Sequence, residues 1–139
     1  MANERTIRVL VVPVGKEAEV REFPSGTFGV EVKKRVGGDF EVHRLDEREA
    51  GGGVDAFVNA MGMADGLPCN RWVPRQYVYG TIVVARTDDE GQTVSLTDVD
   101  VEVYSVLLKL ETQARLQAAP EESEGPPSRV LVIPVGGPT

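Results

Sequence analysis

Thr6-Ile7-Arg8-Val9-Leu10-Val11-Val12-Pro13-Val14 consists almost wholly of β-forming residues. Its central Val9 to Val12 leave neither alternating face polar, which places this strand inside a sheet with cover on both sides. Pro13 offers no backbone N–H and marks the strand's end. An interior strand needs neighbours, and the following sequence supplies them. Ala18 to Phe23 is mixed in polarity, precedes Pro24-Ser25-Gly26, and predicts an edge strand. Ser25 is placed to cap a short helix whose Phe28, Val32 and Val36 recur every four residues until Gly37-Gly38 stops it. Phe40 to Leu45 predicts a third strand and Val54 to Ala60 a fourth, with Gly51-Gly52-Gly53 in the connection.

Met61 to Gln76 contains Gly62, Gly66, Pro68 and Pro74 without a sustained period, which predicts an irregular connection of a length that is commonly functional. Tyr77 to Arg86 resumes strand character around Ile82-Val83-Val84, and Asp88-Asp89-Glu90-Gly91 reads as a hairpin tip. Thr97 is an N-cap for a long helix running to about Ala118. One stripe of that helix holds Val99, Val103, Val106, Leu107, Leu110 and Ala114, and a second holds Val101, Tyr104 and Leu108. A helix apolar nearly all round is buried on two sides or meets another subunit. Residues 120–128, PEESEGPPS, have a linker's composition. After them, Arg129-Val130-Leu131-Val132-Ile133-Pro134-Val135-Gly136 copies residues 8–15 with Ile133 for Val12 as the sole change.

These elements predict a single α+β domain: a mixed or antiparallel sheet of five or six strands with one short and one long helix, the long one over one face. Residues 1–119 form the domain, 120–128 the linker, and 129–139 a terminal strand duplicating the first. That strand is expected to pair at an open edge of its own sheet or in a neighbouring subunit, giving a homodimer by strand exchange.

A chain of 139 residues with 41% hydrophobic content buries enough surface to fold without disulfides or metal. Its lone cysteine, Cys69, and lone histidine, His43, cannot build a thiolate or imidazole metal cage, so neither a metal nor another cofactor is expected. No apolar run approaches membrane-spanning length and the amino terminus lacks a signal-like stretch, which predicts a cytoplasmic protein without membrane partners. A net charge of −7 argues against binding nucleic acid by phosphate neutralisation. The excess lies in residues 81–139, with four basic against ten acidic side chains.

Leu67-Pro68-Cys69-Asn70-Arg71-Trp72 combines a bidentate donor, an amide and an indole, groups suited to a carboxylate, phosphate or base edge. Leu67, Pro68, Asn70, Arg71 and Trp72, with Asp98 at the helix start, form the candidate binding set. The competing structural reading has Asn70 capping loop backbone, Arg71 pairing with a local carboxylate and Trp72 filling the core. Nothing in the spacing brings Cys69 and His43 together as nucleophile and base, and no catalytic residue is assigned. Gly51 to Gly53 lacks the Lys-Ser/Thr of a phosphate loop. Lys33-Lys34-Arg35 suits a solvated helix end. Asp88, Asp89 and Glu90 with Asp98, Asp100 and Glu102 raise nucleic-acid mimicry, although their charge is thin beside one per about 1.7 Å of duplex.

Asp65-Gly66-Leu67-Pro68-Cys69-Asn70-Arg71, then Tyr79-Gly80-Thr81-Ile82-Val83-Val84, then Ser95-Leu96-Thr97-Asp98 resemble, in order, the domain-of-unknown-function family 3846 over roughly residues 7–110. The extra residues Trp72 to Gln76 and the segment 119–139 depart from its pattern. The resemblance implies a setting in bacteriophages, actinobacteria and mobile elements and no established activity. The leading expectation is a small non-enzymatic accessory protein that binds a host protein or a small ligand, in counter-defence or host takeover. The alternatives are a nucleotide-handling or small-molecule enzyme using Asn70 and Arg71 with Asp65 or Asp98 as acid or base, and an acidic nucleic-acid mimic. The enzyme reading requires Arg71 and Asp98 to converge on one open pocket.

Overall fold

The computed structural model describes residues 5–48, 51–73 and 76–122. In chain order it contains β1 (Thr6–Val12), β2 (Glu19–Pro24), a 3-10 turn (Ser25–Thr27), α1 (Phe28–Val36), β3 (Phe40–Glu47) and β4 (Gly53–Asn59). There follow β5 (Cys69–Val73), β6 (Gln76–Tyr79), β7 (Ile82–Thr87), β8 (Thr93–Val94), α2 (Asp98–Leu107) and α3 (Leu110–Glu122). The fold is α+β. Six strands form one antiparallel sheet in the order β2-β1-β7-β4-β3, with β8 also on β7, while β5 and β6 form a separate hairpin.

Because side chains alternate along a strand, β1 feeds two cores. Ile7, Val9 and Val11 join Phe23, Phe57, Val83 and Ala85 beneath Val32 and Val36 of α1. Leu10 and Val12 join Val54, Ala56, Val58, Ile82 and Val84 on the opposite face. There Val73 and Val78 of the hairpin, Leu96, and Tyr104 and Leu108 at the end of α2 supply the roof. The sheet is thus covered on both faces, as the apolar run of β1 predicts, by α1 on one side and by the hairpin with α2 on the other.

Several expectations change for identifiable reasons. Residues 61–76 are not irregular throughout, since Cys69–Val73 pairs with Gln76–Tyr79. The run Tyr77 to Arg86 breaks at Gly80, whose φ of 87° turns the chain out of strand geometry. Ser25 caps nothing: neither the 3-10 turn nor α1 has a side-chain cap bond at its start. Gly37, at φ 87°, does end α1, as its N–H donates to Lys33 O at 2.9 Å. Thr97 is the N-cap of α2 in a reciprocal capping box with Asp100.

The single long helix is two. Between α2 and α3, Leu108 O accepts from Arg71 Nε at 2.7 Å and Leu110 N donates to Glu17 Oε1 at 3.0 Å. Backbone groups that would continue the helix are held by distant side chains instead. The apolar stripe is also turned outward: Val99, Val103 and Val106 are 66%, 51% and 58% exposed, while Asp100, Tyr104 and Leu108 face the sheet. α3 takes in Pro120, Glu121 and Glu122 of the expected linker. Its remainder and the copied strand at 129–135 lie outside the described residues. Among the described residues no helix is long and apolar enough to cross a membrane.

Candidate functional site

The Leu67–Trp72 segment closes the base of the β5–β6 hairpin. Leu67 N donates to Gly62 O, and Pro68 O accepts from Gly80 N at 2.8 Å. Asn70, 8% exposed, donates through Nδ2 to Val12 O and Gly80 O, both at 2.8 Å. Arg71 is fully buried. Its Nε donates to Leu108 O at 2.7 Å, its Nη2 to Lys16 O at 2.6 Å, and its Nη1 to Asn70 Oδ1 at 2.6 Å and Pro13 O at 3.4 Å. Gln113 completes the knot, its Oε1 accepting from Trp72 N at 2.6 Å and its Nε2 donating to Trp72 O at 2.9 Å. Trp72 itself is half-buried and packs on Tyr77, with ring centroids 5.0 Å apart. Burial lowers the Arg71 pKa from its ordinary value, partly offset by Glu17. The guanidinium is committed to backbone carbonyls that end β1, the following loop and α2, and its partner is not the carboxylate expected of a local ion pair.

Asp98 lies elsewhere. It is exposed at the start of α2, with Oδ1 accepting from Arg8 Nη1 at 2.9 Å. Arg71 meets the opposite end of that helix, so the two do not converge on one pocket. Asp100 is 2% exposed and bound by both Nε and Nη2 of Arg86 at 2.8 and 2.9 Å, with Arg48 Nη2 at 3.4 Å. Burial pushes the Asp100 carboxyl up, but hydrogen bonds from Arg86 and Thr97 outweigh it and hold the pKa below the ordinary value. Burial pushes the Tyr104 phenol up to about 12. Asp88 is likewise engaged, capping the backbone of Glu90 and Gln92 in its own turn. Lys33 pairs with Asp39 and Lys34 with Glu31, while Arg35 lies over the Phe23 ring.

Gly51 to Gly53 is explained by close approach. A Cβ on Gly52 would stand 2.2 Å from Thr87 O, and one on Gly53 1.9 Å from Asp46 O, at the bulge in β3. Beside that bulge, buried Asp55 is held by Arg44 and the Thr87 hydroxyl.

An open groove of about 520 Å³ lies on the hairpin side of the sheet, between the start of β3, the turn after β4, and β6. Val58 and Val78 form its floor, while Met61 and Met63 stand at 55% and 71% exposure along its rim. His43 and Gln76 tie its two sides together, Gln76 Nε2 lying 2.7 Å from His43 Nδ1. His43 Nε2 is 3.0 Å from Glu41 Oε2, so both ring nitrogens are engaged, and Cys69, exposed at the start of β5, contributes nothing to this relay. Among the described residues no group of His, Cys, Asp and Glu could hold a metal ion. The groove offers apolar surface, two tyrosines and a braced imidazole, which suits recognition of an apolar chain. Nothing in the spacing of Met61, Met63 and Tyr77 marked them beforehand; only the pairing of β5 with β6 sets Tyr77 opposite the turn after β4.

No curated protein and no solved structure matches the chain. A family described as "Domain of unknown function (DUF3846)" matches residues 7–109, from β1 to the break between α2 and α3. That span holds Asn70 and Arg71 together with all of their bonding partners, and it holds every residue of the groove. The chain belongs to the DUF3846 family of domains of unknown function.

Proposed function

We propose that this is a small non-enzymatic accessory protein of a phage or mobile element, acting in the cytoplasm by binding an apolar, extended segment of a host protein. The observation that carries this reading is the groove itself, which opens beside β3, the last strand of the sheet among the described residues. A free strand edge offers unpaired backbone groups, and an adjoining apolar groove takes alternate side chains, the two requirements of recognition by strand addition. Exposed methionines at a rim adapt to varied partners. The Asn70–Arg71 donors are spent on backbone carbonyls and an amide oxygen, which disfavours the enzyme reading, and Asp100 is buried and Asp98 paired with Arg8, which thins the surface charge a nucleic-acid mimic needs.

The test is capture from bacterial lysate by the full chain and by Met63→Glu and Tyr77→Glu variants, with melting temperatures measured alongside. The reading expects a host protein retained by the wild type and lost from both variants at unchanged stability. Retention that ignores both substitutions overturns it, and so does a small molecule found by native mass spectrometry to occupy the groove in place of protein.

A further inference from the structure

We propose that the outward stripe of α2 is a self-association surface, on which a second copy of the chain docks its own α2 in antiparallel orientation to form a two-fold symmetric dimer. The groove beside β3 takes no part in it.

The fold leaves the stripe without a use. Asp100, Tyr104 and Leu108 turn one side of α2 onto the sheet, and the Arg86 guanidinium on Asp100 fixes that rotation. Val99, Val103 and Val106 are thereby held 66%, 51% and 58% exposed, and Leu110, the first residue of α3, is 36% exposed. Valine is a poor helix former, so three of them on a solvent-facing side weaken α2, and no residue among those described covers them in return. Their spacing of four, three and four residues is that of the seam between two paired helices.

Charge selects the partner and its direction. One flank of the stripe carries Asp98 and Glu102 toward the start of α2 and Lys109 just past its end, all three exposed. The chain stays close to helical there, since Leu108 N donates to Tyr104 O at 2.9 Å and Lys109 N to Val106 O at 3.2 Å. Lys109 therefore lies on the same side as Glu102, two turns further on. Neither Glu102 nor Lys109 has an ion-pair partner among the described residues. A two-fold axis across an antiparallel pair sets this flank beside its own reverse. With Val103 opposite Val106 of the second copy and Val99 opposite its Leu110, each Lys109 falls between Asp98 and Glu102 of the other chain. A parallel pair would instead set Glu102 on Glu102 and Lys109 on Lys109, and like charges so opposed repel. The helix dipoles favour the antiparallel direction as well. Because α2 has ten residues and is about 15 Å long, the strip is small beside the roughly 800 Å² a side of a lasting interface, and the dimer is a reversible one.

The test is sedimentation equilibrium of the full chain from about 10 μM to about 1 mM, with melting temperatures alongside. The wild type is expected to pass from monomer to dimer over that range. Val103→Glu is expected to weaken association by about tenfold or more with the melting temperature of the monomer unchanged. Glu102→Lys and Lys109→Glu should each weaken it severalfold, and the two together should restore it. A wild type that stays monomeric throughout overturns the proposal, and a fall in its melting temperature on Val103→Glu would then show that the chain covers the stripe itself. A dimer indifferent to Val103→Glu places the contact elsewhere and overturns it too. So does failure of the double variant to recover, because the antiparallel register requires Lys109 and Glu102 to meet between chains.

Discussion

Arg71 shows what burial does to a charged side chain that has no carboxylate to meet: it is kept by carbonyls, and those carbonyls are kept by it. Arg71→Met is expected to strand Leu108 O and Lys16 O and to cost about 3 kcal/mol or more, read from urea denaturation. With both side chains buried, Asn70→Ala with Arg71→Ala is likewise expected to lower the melting temperature strongly. The pair was visible in the motif, but its destination was not, because backbone carbonyls leave no mark in a sequence. Asp100 gives a pH signature. Its folded pKa lies below the unfolded value of about 3.9, so its contribution is complete above that pH and is lost as pH falls through the folded value. The gap in melting temperature between wild type and Asp100→Asn is therefore expected to be full at pH 6 and to narrow progressively below about pH 4. Tyr104 acts at the other extreme, its contribution being lost as pH rises from about 10, the unfolded value, through about 12.

Elements were legible where their reasons are local. β1, the glycine stop of α1, the Thr97 N-cap of α2 and the Asp88 turn all follow from residues within a few positions of one another. The break after α2 does not, since it is made by Arg71 and Glu17, far away along the chain. Nor does the rotation of α2: counting apolar residues favours the Val99 stripe, but Arg86 binds Asp100 and turns the helix onto Tyr104 and Leu108. Gly52 is where a turn is most tightly specified. Its φ of 77° and its contact with Thr87 O leave no room for a methyl group, and Gly52→Ala is expected to cost about 2 kcal/mol or more in thermal or urea unfolding.

At the scale of the molecule, β1, β7 and β4 are held by strands on both sides and by packed layers above and below. Hydrogen exchange is expected to be slowest there and faster in β2, β3 and the β5–β6 hairpin, with mass-spectrometric exchange as the check. Uniform protection across the sheet would contradict that order. The α+β class and the five strands β1, β2, β3, β4 and β7 of the main sheet were legible because alternation and turn residues survive in any context; β8, the β5–β6 hairpin and the groove were not, because only tertiary pairing brings their segments together. The neighbours that β1 acquires also differ in when they are made. β2 follows it at once, but β7, on its other side, leaves the ribosome about sixty residues after β2. At ordinary bacterial elongation rates that interval is on the order of three to twelve seconds. Throughout it the nascent β1–β2 hairpin presents one unpaired edge carrying the apolar run Val9 to Val12, a natural client for a holding chaperone until translation delivers the strand that seals it.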